Sequence, residues 1–104
     1  MTAPGLSIYA SSKAAVSAYM RTCAVELGAK NIRSNAVLPG MVETKLINGG
    51  TYTDEDKKND LNLYPLGRYG VPTDIAFAII YLLSDASAWI TGMELIIDGG
   101  RSLK

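Results

Sequence analysis

The 104-residue sequence contains no histidine. That removes Ser-His-Asp and Cys-His catalysis, together with the commonest zinc ligands, and no metal site is expected. A single cysteine, Cys23, cannot form a disulfide within the chain. Such usage fits a reducing, cytoplasmic compartment. Charge of either sign is also lacking in excess: ten basic and ten acidic residues cancel. Nothing therefore points to electrostatic capture of nucleic acid or of an anionic membrane. No apolar run approaches the ~20 residues of a membrane span. The first residues lack the basic start and apolar block of a signal peptide. There is no internal repeat and no low-complexity tract.

What is present is apolar enough to fold, with 48% hydrophobic residues. The length suits one small domain with a modest core. Residues 1–8 read as a loop, with Pro4-Gly5 as a turn signal. From about Ile8 to Leu27 the sequence predicts a helix, alanine-rich and free of glycine and proline, with Gly28 as a left-handed stop. Ala14, Ala15, Ser17 and Ala18 are small, so another helix could approach closely at a subunit interface. Burial under the chain's own sheet is the alternative. Ile32 to Leu38 predicts a strand closed by Pro39-Gly40, followed by a loop at its C-terminal end. In open α/β sheets that edge is where ligands sit.

Residues 48–72 are the least regular. Gly49-Gly50 is a hinge candidate, the mixed-charge run Asp54 to Asp60 predicts a short solvated helix, and Tyr64 to Gly70 is turn-rich. A further helix starts near Pro72-Thr73-Asp74 and runs to about Ser84. Its apolar face, Ile75, Ala76, Ile79, Ile80, Leu82 and Leu83, is expected to pack on a sheet. Trp89 reads as a packing residue. Met93 to Asp98 is the last predicted strand, ended by Gly99-Gly100. The order helix, strand, irregular segment, helix, strand is an α/β pattern with a parallel sheet. Both strands read as buried on two faces, and two strands alone make a marginal sheet, so partners are expected beyond them.

Tyr9-Ala-Ser-Ser-Lys13 is the stretch most suggestive of chemistry. On a helix, residues four apart share a face. An ammonium beside a phenol favours the phenolate, which suits proton transfer; an ordinary surface pair is the plainer reading.

Three separated motifs resemble one family. Tyr9-Ala-Ser-Ser-Lys13 matches the Tyr-x-x-x-Lys of short-chain dehydrogenase/reductases. Asn35-Ala-Val-Leu-Pro39-Gly40-Met-Val42-Glu-Thr44 matches their Asn-x-x-x-Pro-Gly-x-x-x-Thr segment. Pro65-Leu-Gly-Arg-Tyr-Gly-Val-Pro72 and Ile90-Thr-Gly-Met-Glu-Leu-Ile-Ile-Asp98-Gly99-Gly100 match the C-terminal signature. Together they resemble the C-terminal half of a Rossmann-type, doubly wound parallel sheet, similar to the 3-oxoacyl-carrier-protein reductase and sugar-alcohol dehydrogenase branch. The resemblance implies hydride transfer between NAD or NADP and a small alcohol or ketone. Tyr9 would be the acid/base and Lys13 would lower its pKa and hold the nicotinamide ribose. Pro39 and Gly40 would let the backbone pass the nicotinamide, while Val42 and Thr44 would hold its carboxamide. Residues 45–70 would be a mobile substrate-binding region.

The family's Gly-x-x-x-Gly-x-Gly phosphate loop does not occur in this sequence, and neither Ser7, Ser11 nor Ser12 occupies the position of its catalytic serine. The expectation is one Rossmann-like domain over residues 1–104 whose N-terminal dinucleotide-binding half is missing. Such a chain would be inactive by itself, with weak or absent cofactor binding. It would act as a homo-oligomer or with a complementing half; the alternative is a non-catalytic, self-associating assembly module.

Overall fold

An alanine-rich run without glycine or proline produces the longest element. The computed structural model describes residues 3–43 and 53–104. Its first helix, α1, spans Ser7–Leu27. The Pro4-Gly5 turn precedes it, with Gly5 at φ 84° and the Leu6 N–H donating to the Ala3 carbonyl at 3.1 Å. Gly28 does not take the left-handed role expected of it. It is right-handed (φ −58°, ψ −38°), and the chain tightens into a 3-10 turn over Gly28–Lys30. Asn31 is the left-handed residue (φ 58°), and its N–H donates to the Gly28 carbonyl at 2.9 Å. Asparagine tolerates this conformation better than most side chains, so the extra turn can close three residues later.

The remaining regular elements are β1 (Ala36–Pro39), α2 (Asp54–Leu61), α3 (Pro72–Leu83) and β2 (Glu94–Ile97). β1 and β2 form a two-stranded sheet. The Ala36 N–H donates to Met93 O at 2.8 Å and the Gly40 N–H to Ile97 O at 2.9 Å. The constant offset of these two bonds marks a parallel pair. The helix–strand–helix–helix–strand order and the parallel pair agree with part of an α/β Rossmann-type fold. The strand surfaces are only partly covered within this chain, and Ile96 remains 55% exposed.

The chain divides into two units, Met1–Ala36 with Ser87–Glu94, and Val37–Ala86 with Leu95–Lys104. In the first, α1 buries Met20 and Ala24. The Ser34 hydroxyl donates to Met20 O at 2.9 Å, and Arg21 pairs with Glu94. Residues 32–35, expected as strand, are irregular. They bond residues 87–93 mostly through side chains, beside one backbone bond from the Gly92 N–H to Ser34 O at 2.7 Å. Arg33 donates to the Ser87 hydroxyl at 2.9 Å, and Thr91 Oγ1 accepts from the Ser34 N–H at 3.0 Å. Asn35 donates to Ile90 O at 3.1 Å and accepts from the Met93 N–H at 3.0 Å. Ser87 is 1% exposed. Trp89, expected to pack, is instead 99% exposed, on the stretch between a 3-10 turn over Asp85–Ser87 and β2.

In the second unit, α2 opens on a capping box. The Asp56 N–H donates to the Thr53 hydroxyl at 3.0 Å, and the Thr53 N–H donates to Asp56 at 3.2 Å. Acidic residues at positions 54–56 face the positive helix end. Successive turns follow through Gly70, burying Tyr64 and Tyr69 edge to face, with ring centroids 5.4 Å apart. Pro72 stands in the first turn of α3, and Asp74 accepts from the Val71 N–H at 2.8 Å. The broad apolar face expected of α3 is covered only along a stripe. Leu82 is buried and Ile75 half-buried, while Phe77, Ile80 and Leu83 stay exposed. α3 is apolar on nearly every side, and its unit offers cover for one side only.

Candidate functional site

α1 carries the first part of the candidate site. Tyr9 and Lys13 lie one turn apart, and the Lys13 ammonium sits 5.4 Å from the centroid of the Tyr9 ring. At that separation the cation meets the negative face of the aromatic ring. Tyr9 is 53% exposed, and Lys13 is exposed as well. The two side chains therefore associate at the surface; they neither diverge nor sink into an apolar interior. The Ser12 hydroxyl is turned back to the Tyr9 carbonyl at 2.8 Å. Ala14, Ala15 and Ala18 are exposed and Ser17 half-buried, so the small-residue face is not buried under this chain's own sheet.

The second unit carries Pro39, Gly40 and Val42 at the end of β1. Pro39 is exposed, while Gly40 and Val42 are half-buried. Thr44 lies outside the described residues, as do residues 45–52 of the segment assigned to substrate. Val42 forms an isolated parallel bridge with Gly70. The Gly70 N–H donates to Met41 O at 2.9 Å, and the Glu43 N–H donates to Gly70 O at 2.8 Å. This lacing fixes the backbone just beyond the strand. Gly40 has no room for a side chain: a Cβ there would fall 2.8 Å from the Asp98 Cβ and 2.9 Å from its Cα. A small cavity of about 150 Å³ opens beside this segment, between Met41, Arg68, Gly70, Asp74, Ile97 and Asp98.

Several structuring residues escape a motif reading. Arg68 grips Asp74 through two bonds, at 2.7 and 3.2 Å. That guanidinium, helped by the Val71 N–H, holds the Asp74 carboxyl down to about 2. Asp98 accepts from the amides of Ser102 at 2.9 Å and Gly100 at 3.0 Å. Bonds from Ser102 and then Gly100 keep its carboxyl below the ordinary range. The signal for the first was an arginine and an aspartate flanking a Gly-x-Pro turn; for the second, an aspartate before paired glycines. Asn35 appeared only as a motif letter, although a half-buried polar amide at the head of an apolar run needs partners. Among the described residues no group of three His, Cys, Asp or Glu could hold a metal, and no helix is long and apolar enough to cross a membrane.

The elements and their order define part of a Rossmann-type α/β protein, with a Tyr-x-x-x-Lys pair on a helix and a Pro-Gly turn at a strand end. The family model described as enoyl-(acyl carrier protein) reductase matches residues 1–102. The chain belongs to this family, the short-chain dehydrogenase/reductases. It is 42% identical over 97 residues to the 3-oxoacyl-(acyl-carrier-protein) reductase of Thermotoga maritima, covering 93% of this chain and 39% of that protein. Among solved structures, a short-chain type dehydrogenase/reductase from Mycobacterium ulcerans superposes with a TM-score of 0.81 at 37% identity, over 88% of this chain and 34% of that one. A 4-hydroxyisoleucine dehydrogenase complexed with NADH gives a TM-score of 0.85 at 33% identity, over 92% of this chain and 40% of that one. The chain thus spans about two fifths of the length of the relatives it matches.

Proposed function

We propose that this chain supplies the proton-transfer and nicotinamide-facing part of an oxidoreductase acting on an alcohol or ketone with NAD or NADP. The observation that carries this reading is the Tyr9–Lys13 pair, associated and accessible on α1 in a chain of this family. A nicotinamide held there would supply the hydride in reduction and accept it in oxidation. Tyr9 gives its phenolic proton to the carbonyl oxygen as the alcohol forms and takes it back in the reverse direction. Lys13 presents an exposed ammonium beside the Tyr9 ring that suits the ribose hydroxyls. Pro39 and Gly40 shape the strand end, where Gly40 already packs without a side chain. Val42, through its backbone, and Thr44 would hold the carboxamide, and residues 45–70 would bound the substrate. The site residues present thus offer donors and a narrow backbone suited to a nicotinamide ribose and amide. The lone cysteine is in keeping with a cytoplasmic setting.

The sequence holds no Gly-x-x-x-Gly-x-Gly loop to anchor a pyrophosphate, so turnover requires a complementing half that carries one. Calorimetric titration of NADH and NADPH into the chain tests this: no saturable heat in the micromolar range is expected. Micromolar binding by the chain alone would overturn the requirement. In a complemented, active form, Tyr9→Phe removes nearly all turnover and leaves cofactor binding largely intact. Near-parental turnover in that variant would exclude the acid/base role.

A second reading is favoured by the exposure of Val16, Tyr19 and Val25 on α1 and of Phe77, Ile80 and Leu83 on α3. It makes the chain a self-associating module without catalysis. Light scattering decides it, since a well-behaved monomer has no use for these surfaces in assembly.

A further inference from the structure

α2 poses a question of mechanics. It has eight residues, seven of them polar or charged, and buries none of them fully. A helix so short does not persist in water by itself, and its one apolar residue, Leu61, is only half-buried. Its capping box fixes its first turn but not its place in the unit. Its place is set by side-chain contacts to the turn region and to the segment after β1. Asp60 accepts a short bond, 2.6 Å, from the hydroxyl of Tyr69, a residue only 3% exposed. The Lys57 ammonium lies 5.8 Å from the centroid of the same Tyr69 ring and bonds Glu43 at 3.2 Å. Just past the helix, Lys104 donates to Asn62 O at 3.3 Å.

We propose that Lys57, Asp60 and Tyr69 form a latch that seats α2 against Tyr69 and Glu43, with the buried Tyr69 hydroxyl as its main catch. Three features make it a latch and not one more surface contact. The Tyr69–Asp60 bond joins a buried phenol to a carboxylate, the stronger kind of hydrogen bond. The Lys57–Glu43 pair is weaker, because both side chains are more than a third exposed. Glu43 is itself tied by its N–H to Gly70, directly after Tyr69. Lifting α2 therefore frees Glu43 from its cation and uncovers Tyr69 in one motion. On the proposed function, from which this extension follows, α2 belongs to the substrate segment. The latch would then couple its opening to the backbone beside the nicotinamide site.

Amide hydrogen exchange on the 104-residue chain reads the latch without cofactor or turnover. Tyr69→Phe keeps the ring and deletes the hydroxyl; Lys57→Met keeps the stem and deletes the charge. Exchange across residues 54–61 is expected to quicken about tenfold in Tyr69→Phe, and less in Lys57→Met, while α3 over residues 72–83 keeps its parental rates. The double variant should add little beyond Tyr69→Phe, since a released helix cannot be released again. Unchanged exchange at 54–61 in Tyr69→Phe would overturn the proposal. So would equal quickening in α2 and α3, which marks general loosening. Failure here leaves the oxidoreductase reading standing, because that reading is decided by cofactor titration and by Tyr9→Phe.

Discussion

Replacing Gly40 with alanine isolates one packing relation whose cost follows from the geometry. The added Cβ would lie 2.8 Å from the Asp98 Cβ and 2.9 Å from its Cα. Carbon atoms rest at about 3.5–4.0 Å, so the overlap is well over half an ångström. Neither atom ends a flexible side chain. Asp98 follows the residue that accepts the Gly40 N–H at 2.9 Å, and its carboxylate is fastened to the Gly100 and Ser102 amides. Relief must come from the main chain, at the expense of the Gly40–Ile97 rung. Overpacking costs about 1–3 kcal/mol and a weakened backbone bond about 1 more. Alanine returns about 0.4–1 kcal/mol by restricting the unfolded chain. The net loss is then about 1–3.5 kcal/mol, or on the order of 10 °C in Tm for a chain of this length. Urea unfolding followed by circular dichroism measures it, with the m-value expected to hold. Gly28→Ala is the internal control: Gly28 is right-handed and a Cβ there meets nothing within 4 Å. That variant should gain about 0.4–1 kcal/mol. If Gly40→Ala unfolds within about 0.5 kcal/mol of the parent while Gly28→Ala behaves as stated, the close approach does not constrain the fold.

Asn35→Ala strips partners from the Met93 N–H and the Ile90 carbonyl and should cost about 1–3 kcal/mol in urea unfolding; a change below about 0.5 kcal/mol would deny Asn35 its stapling role. Asp74 is held to about 2 against an ordinary 3.8, so its contribution is complete above about pH 4 and is lost as the pH falls toward 2. Asp74→Asn should lower the urea midpoint at neutral pH and flatten its decline between pH 4 and 2, the remaining slope coming partly from Asp98; an acid slope identical to the parent's would refute the assignment. In a complemented enzyme, Lys13→Ala should weaken both cofactor binding and turnover, whereas Tyr9→Phe should spare binding. Parental affinity in Lys13→Ala, measured by titration, would remove Lys13 from the cofactor site.

Elements set by local preference could be read directly from the residues. The alanine run yielded α1 within a residue of its observed start, and Pro72 with Asp74 marked the start of α3. The charged run from Asp54 became α2, with Thr53 supplying its cap. Features that depend on distant partners were hidden. The strand is read from the apolar run Ala36-Val37-Leu38 and carried back to Ile32, but the polar residues before that run find partners near residue 90 instead. Trp89 looked like core because tryptophan usually packs, yet its neighbours in this chain leave it uncovered. Gly28 carried a stop signal that Asn31 answered, a choice made by a single added turn. For the site, spacing alone placed Tyr9 and Lys13 on one face, and the geometry agrees. It could not reveal that Gly40 is required by Asp98, since nothing local links residues so far apart in the chain.

The parallel pairing of β1 with β2 also shapes how the molecule comes into being. α1 can coil as soon as its residues leave the ribosome, because each of its bonds is local. The amides of Ala36 and Gly40 must wait until Met93 and Ile97 have been translated. Throughout that interval a nascent strand edge stands open to any other extended peptide, and joining so distant a pair is slow. Delay between the two strands therefore exposes the nascent chain to mispairing before its sheet can close.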